Sequence, residues 1–317
     1  MAEPLSIAGA GQTRTAPDRR SRLPDTREWR STAVPVLIGW LGFAPFALFC
    51  LLFELLPAVM VLQQSFLDSQ TGAPTLSNYQ RMFSQPSNLH AFQTSISLAL
   101  VSAVVSAVAG FFAAYGLSNL RMPWLQNLIT GFYSIAANFA GVPLAFAFIS
   151  TLGVTGFVTV LLQAMFHVDL YNGLHFSLYT FWGLVLAYSY FEIPLMALVT
   201  LPALRALKRE WREAATSMGA STAVYWRQIA LPILLPSLIA ATLLLFANAF
   251  GAYATAYALA QGGINLVTIL IGFAVNGNVN FDPGLGNALS VGMILVLLIA
   301  VTIYTMLLRR VSHWQGR

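Results

Sequence analysis

One stretch of the chain stands out for its small, acidic and basic residues at regular intervals. Glu213-Ala214-Ala215 is followed, after three residues, by Gly219, then after nine by Ile229, and after one more by Leu231-Pro232. Just upstream, Leu204, Leu207, Trp211, Ala214/Ala215 and Met218 recur at three- and four-residue intervals. That spacing predicts one helix with an apolar stripe, and Arg205, Lys208, Arg209 and Arg212 fill the opposite face. Gly219 suits the residue after the helix end, where a left-handed backbone costs glycine little. Ser221 can cap a second short helix over Thr222–Ala230. Pro232 and Pro236 each fit an early helical turn or a kink. An amphipathic hairpin of this kind can lie on a membrane surface or dock on a partner, and pattern alone leaves both open.

Other chemistry finds little support. Lys208 is the only lysine and follows Leu207, so no Gly-Lys-Ser/Thr phosphate loop exists. His90, His167, His175 and His313 lack ligand spacing, so no metal is expected. Cys50 is the sole cysteine, which excludes a disulfide or thiolate cluster within the chain. No Ser/His/Asp arrangement stands out, and the chain is expected to be no enzyme and to bind no cofactor. Four polar side chains do fall inside long apolar runs: Glu54, Glu192, Asn138 and Asn248. Ionisable groups at membrane depth are rare and functional by default. Glu192, beside Pro194, is read either as a translocation-path group or as a hydrogen-bonded carboxyl at a subunit interface; Glu54 is read as structural or interfacial. Asn138 and Asn248 could line a path or bond across helices.

The elements that must carry these residues follow from composition. Of 317 residues, 57% are apolar and 9% charged, against about 25% charged in soluble domains. Mean hydropathy is +0.71. Together these exclude a soluble enzyme, a disordered chain and a disulfide scaffold. The apolar runs are long and continuous rather than alternating, which predicts an all-α polytopic membrane protein. Six spans are expected, near Val34–Leu62, Phe92–Leu117, Leu128–Leu152, Leu178–Leu201, Ile233–Leu259 and Ala288–Leu308. Phe157–Phe166 and Leu266–Val275 are too short to cross about 30 Å of hydrocarbon and are read as interfacial or re-entrant helices on the outer side.

Charge sets the orientation. Arginines crowd the first 30 residues, the Arg205–Arg227 stretch and the C-terminus, whereas Arg81 falls in the polar Gln63–Ala91 loop with Asp68, and Asp169 and Asp282 share its side. The positive-inside rule then puts both termini and the 203–232 loop in the cytoplasm. Residues 1–32 are expected to be a disordered basic tail, 33–310 the six-span domain and 311–317 a cytoplasmic tail. The net charge of +5 is explained by topology and lipid headgroups, so no nucleic acid is expected.

The spacing from Glu213 to Pro232, lying between the fourth and fifth spans of six, resembles the EAA loop of binding-protein-dependent ABC importer permeases of the type I, MetI-like kind. Tyr190–Leu195 and Phe250–Thr255 are similar to the branch serving polyamines, iron(III), thiamine and aminoalkylphosphonates. The resemblance implies an inner-membrane permease subunit that couples through Glu213, Ala214, Ala215, Gly219, Ile229, Leu231 and Pro232 to a cytoplasmic ATPase. It implies a second permease subunit, as homo- or heterodimer, two ATPase subunits holding ATP and Mg, and an extracytoplasmic solute-binding protein. Its path would run along inner helices, making Glu192, Asn248 and Asn138 candidate liners. A small polar solute, a polyamine or related organic cation among them, is the implied cargo. An ion-coupled secondary transporter working through Glu54 and Glu192 is the alternative, and it gives no reason for the loop's spacing.

Overall fold

The structure is a computed structural model that describes residues 42–260, 263–276 and 281–315, with side chains up to residue 306. The expected tail over residues 1–32 lies outside the described residues. The chain divides into two units, residues 1–58 and 59–317. All regular elements among the described residues are helices. They are α1 (Gly42–Ser65), α2 (Ser77–Ser84), α3 (Pro86–Asn119), α4 (Pro123–Asn138), α5 (Val142–Leu152) and α6 (Phe157–Phe166). There follow α7 (Phe181–Arg205), α8 (Arg209–Ser217), α9 (Thr222–Phe250), α10 (Tyr253–Ala260), α11 (Val267–Asn276) and α12 (Pro283–Gln315).

Six stretches are long and apolar enough to cross a bilayer: α1, α3, Val142–Phe166, α7, α9 and Pro283–Met306. The number agrees with the sequence reading, but several boundaries move. α3 starts at Pro86, so the end of the expected outer loop is already helix, and α2 occupies its middle. α12 continues to Gln315, past the expected start of the C-terminal tail.

The largest revision concerns the third and fifth spans, each expected to be continuous. α4 stops at Asn138, and α5 begins at Val142 after Gly141 at φ +76°. Pro143 accounts for the stop: its ring would meet the carbonyl four residues back, at Phe139, and it has no N–H to give. α9 likewise stops at Phe250, and α10 resumes at Tyr253. α4 and α5 in series follow the length of α7. Gln126 meets Arg205 at the end of α7, Phe139 meets the ring of Tyr190 near its middle, and the Leu152 carbonyl accepts from Tyr171 in the loop that precedes α7. The third stretch long and apolar enough to cross joins α5 and α6, Val142–Phe166, in place of the expected Leu128–Leu152, so Phe157–Phe166, read as interfacial, falls inside it. α6 is helical over the expected residues, as is α11.

Two proline-driven turns are wide. Pro232 cannot donate to the Gln228 carbonyl, and the preceding turn, Trp226–Ala230, opens so that the Leu231 N–H reaches Trp226. Leu51–Leu55, ahead of Pro57, opens in the same way.

The core of the 59–317 unit forms where α3, α7 and α9 meet, closed by α10 and α11. Leu98, Leu184, Tyr188, Phe191, Leu245 and Leu259 are all buried there. Large apolar side chains such as Phe112, Phe132, Ile135 and Leu298 are exposed instead. An apolar exterior suits hydrocarbon solvent. α3 and α7 approach closely because Gly110 faces α7; a Cβ there would lie 2.5 Å from the Met196 Cβ and 2.7 Å from the Ile193 carbonyl.

At one end of the unit, Arg81 pairs with Asp282, and the Gly284 N–H donates to Ser69 Oγ at 2.8 Å. Asp68 and Asp169 belong to the same set of loops. Each carboxylate caps its own turn, and backbone N–H donors, from Thr71 and Asn172 first, hold it below the usual carboxylate range. The arginine read as external is thus neutralised within its own loops, while the cations of the 203–232 loop gather at the opposite end of α3 and α7.

Candidate functional site

The loop between α7 and α9 builds two short helical segments in sequence. α7 runs on to Arg205, a turn covers residues 206–208, and α8 starts at Arg209. The single helix expected over Leu204–Met218 is therefore two. Leu204 packs in the core at the end of α7, whereas Met218 is 79% exposed and Trp211 37% exposed. The stripe is not one buried face: the turn rotates its two halves apart.

α8 ends as its residues require. Gly219 takes φ +80°, its N–H donates to the Thr216 carbonyl at 2.9 Å, and the Ala220 N–H donates to the Ala215 carbonyl at 3.0 Å. This paired closure is the Schellman motif. Nothing lies within 4 Å of the position a Gly219 Cβ would take. The glycine answers a backbone demand and leaves open space above it. Ser221 then caps α9, accepting from the Val224 N–H at 3.4 Å.

The seven loop residues divide by role. Ala215 is buried against Tyr225 and Ala230, with Ile229 partly buried at the edge. The small side chain lets the two arms of the loop touch. Ala214, Glu213, Leu231 and Pro232 are exposed. Glu213 accepts from Arg209 Nε at 2.8 Å on the solvent side of α8. The loop thus holds its own shape with Ala215 and Gly219 and turns Glu213, Ala214 and Met218 outward.

The in-span polar residues separate just as clearly. Glu192 is fully buried between α3 and α7. Its carboxylate accepts from Ser106 Oγ at 2.9 Å and lies 3.5 Å from Ser102 Oγ. Both hydroxyls belong to α3 of this chain. Asn138 and Asn248 are exposed, each close to a helix break; the Asn138 amide donates to the Ser134 carbonyl at 2.8 Å. Glu54, outside the 59–317 unit, is exposed on α1.

The two breaks meet, which no single-helix reading of the spans could show. The Gly141 N–H donates to Thr255 Oγ1 at 2.8 Å, joining the first break to α10. The Tyr188 hydroxyl donates to the Ala252 carbonyl at 3.1 Å, joining the second break to α7. Tyr190, 38% exposed, stands edge-on to Phe139 and Phe148. Broken helices at membrane depth persist only where the freed backbone groups are satisfied or line a cavity, and discontinuous helices often mark transport paths. Thr255 and Tyr188 supply that satisfaction. In the sequence, the spacing of Gly141 to Pro143 and the Gly251 position are the signals that locate these breaks.

These features describe a helical chain with six stretches long and apolar enough to cross a membrane and an exposed two-segment loop between the fourth and fifth of them. Residues 106–313 match the family described as the binding-protein-dependent transport system inner membrane component. The chain belongs to this family and is a multi-pass inner-membrane permease of an ABC importer.

Relatives include the sulfate transport system permease protein CysT of Salmonella typhimurium, 27% identical over 198 residues, 62% of this chain and 67% of that protein. The spermidine/putrescine transport system permease protein PotB of Haemophilus influenzae is 24% identical and covers 87% of this chain and 93% of its own length. Among solved structures, a bacterial ABC transporter involved in import of the acidic polysaccharide alginate superposes with a TM-score of 0.70 at 15% identity. That match covers 90% of this chain and 99% of the other. At that identity the likeness is one of fold.

Proposed function

We propose that this chain carries a small polar solute across the inner membrane, with ATP hydrolysed by two separate cytoplasmic ATPase subunits that dock on the 203–232 loop. The observation that carries the reading is the outward-facing Glu213–Gly219 turn, locked by the Schellman closure at Gly219 and open above it. A rigid, exposed element of this kind transmits displacement, because its shape does not relax when pushed. A second permease subunit, identical or homologous, would complete the path, and an extracytoplasmic binding protein would deliver the solute. Both termini would lie in the cytoplasm, on the side of the loop's cations.

The path would run beside the two helix breaks, where Asn138, Asn248 and Tyr190 present neutral polar groups. Glu192, buried against two serines, does not reach that surface. The support for an organic cation accordingly rests on the similarity to PotB, set against the similarity to CysT, whose name concerns sulfate. A polar solute recognised by hydrogen bonding is the reading the exposed side chains favour.

The test is reconstitution of the permease with its ATPase subunits and binding protein in proteoliposomes, with spermidine and sulfate offered in turn. Uptake should require ATP inside the ATPase-accessible compartment and should ignore an imposed proton gradient. Uptake driven by the gradient without ATPase would make the protein a secondary transporter.

A further inference from the structure

A cavity of about 1020 Å³ opens where the end of α3 faces the 203–232 loop. Its lining includes Arg121, Arg205, Lys208, Arg209 and Arg212 and a single carboxylate, Glu213, which already pairs with Arg209. A second cavity, of about 410 Å³, is lined by Phe111, Phe112, Leu231 and Ala223, with Arg227 its one charge. The two share a wall: Tyr115 and Trp226 line both. Their rings stand edge-on, 5.2 Å apart.

We propose that this pair of cavities binds one anionic phospholipid of the cytoplasmic leaflet, the phosphate among the cations and an acyl chain against Phe111, Phe112 and Leu231. Charge selects the headgroup: five cations face one carboxylate, and the cytoplasmic leaflet is the anionic one. Depth agrees, because both cavities sit at the ends of the α3 and α7 crossings, where Trp and Tyr favour the headgroup level. The apolar neighbour distinguishes a lipid from free phosphate, which would leave Phe111 and Phe112 uncovered. The lipid would touch both the α3–α4 turn, through Arg121, and α8, through Arg212. Leaflet composition would thereby bear on the position of the loop.

The experiment is native mass spectrometry of the assembled permease complex in mild detergent, offered phosphatidylglycerol or phosphatidylcholine. Wild-type complex should retain phosphatidylglycerol in preference by about twentyfold or more, and Arg121→Gln/Arg212→Gln should lose most of it, at about fivefold per charge removed. Arg121→Lys should keep the preference, which guards against a folding artefact. Phe112→Ser should weaken retention of both lipids and leave the preference in place. Equal retention of the two lipids, or an unaltered preference in the double variant, would overturn the proposal. So would displacement of phosphatidylglycerol by excess inorganic phosphate, the mark of a free-anion site. Retention by the permease alone that vanishes on adding ATPase would assign the basic cavity to an acidic surface of that partner instead.

Discussion

Two polar regions of this permease use their polarity in opposite ways. In the seam between α3 and α7, Glu192, Ser102 and Ser106 close on one another, and Gly110 brings the helices together around them. In the 203–232 loop, only Ala215 and its neighbours turn inward, while Glu213, Ala214 and Met218 point away from the chain. The seam's hydrogen bonds close in the buried interior, whereas the loop's Glu213 and Arg209 pair only at the surface, where a partner can reach both. A polar residue in an apolar chain is thus not by its type alone a functional one. What decides is whether its partners are already present.

The comparison breaks most readily at the seam. Gly110→Leu should nearly abolish recovery of monodisperse permease from membranes, because its Cβ would overlap the Met196 side chain and the Ile193 carbonyl. Gly116→Leu, on the same helix but with nothing within 4 Å, should express normally. Equal yields of the two would show that the α3–α7 contact does not hold the fold.

Glu192→Leu comes next. It would leave the Ser106 hydroxyl buried without its acceptor, at a cost of about 1–3 kcal/mol, and should lower the thermal midpoint of the purified protein. Glu192→Gln keeps an acceptor for Ser106 and should fall close to wild type in both stability and uptake. A large uptake defect in a stable Glu192→Gln protein would return the carboxylate to the path.

In the loop, the expected damage is to coupling rather than to folding. Gly219→Leu forces a Cβ into a left-handed backbone, at about 1 kcal/mol, yet meets no atom of this chain. Complex yield should hold while substrate-stimulated ATPase activity and uptake separate. Gly219→Asn, which tolerates that backbone, should retain more coupling than Gly219→Leu.

The smallest effect belongs to the Arg209–Glu213 pair. Both side chains are exposed, four residues apart on α8, and such pairs are worth about 0.3–0.5 kcal/mol. Arg209→Gln should leave the thermal midpoint almost unchanged. Glu213→Gln should do the same to stability but weaken ATPase binding, measured as the affinity of purified ATPase for the reconstituted permease. A stability loss from either one would mean that the pair serves the fold.

Much of this was legible in residues and spacing, and the exceptions share a cause. The Gly219 turn and the Ser221 cap follow from local backbone chemistry, which short sequences encode. Six crossings and the grouping of cations follow from solvent preference, which composition encodes. Local stops inside a crossing were not read, because the apolar run continues through Phe139–Gly141 and through Gly251–Ala252. Nor could the run show which way Glu192 faces: α3 and α7 are apolar nearly all round, so no periodicity marks the side on which Ser102 and Ser106 await the carboxylate. The Leu204–Met218 stripe misled for the converse reason: a helical repeat can persist across a turn that divides it.

If the outward face of the 203–232 loop meets the ATPase, Met218, exposed beside Gly219, lies within reach of that subunit. With Cys50, the only cysteine, replaced by serine, Met218→Cys alkylated with a benzophenone maleimide should, on irradiation, insert into a C–H bond of the ATPase subunit in inside-out vesicles. Leu76→Cys, exposed in the loop read as external and alkylated in the same way, should form no such cross-link. A Met218→Cys permease that reacts with soluble thiol reagents in the working complex, yet never joins the ATPase, would contradict the account.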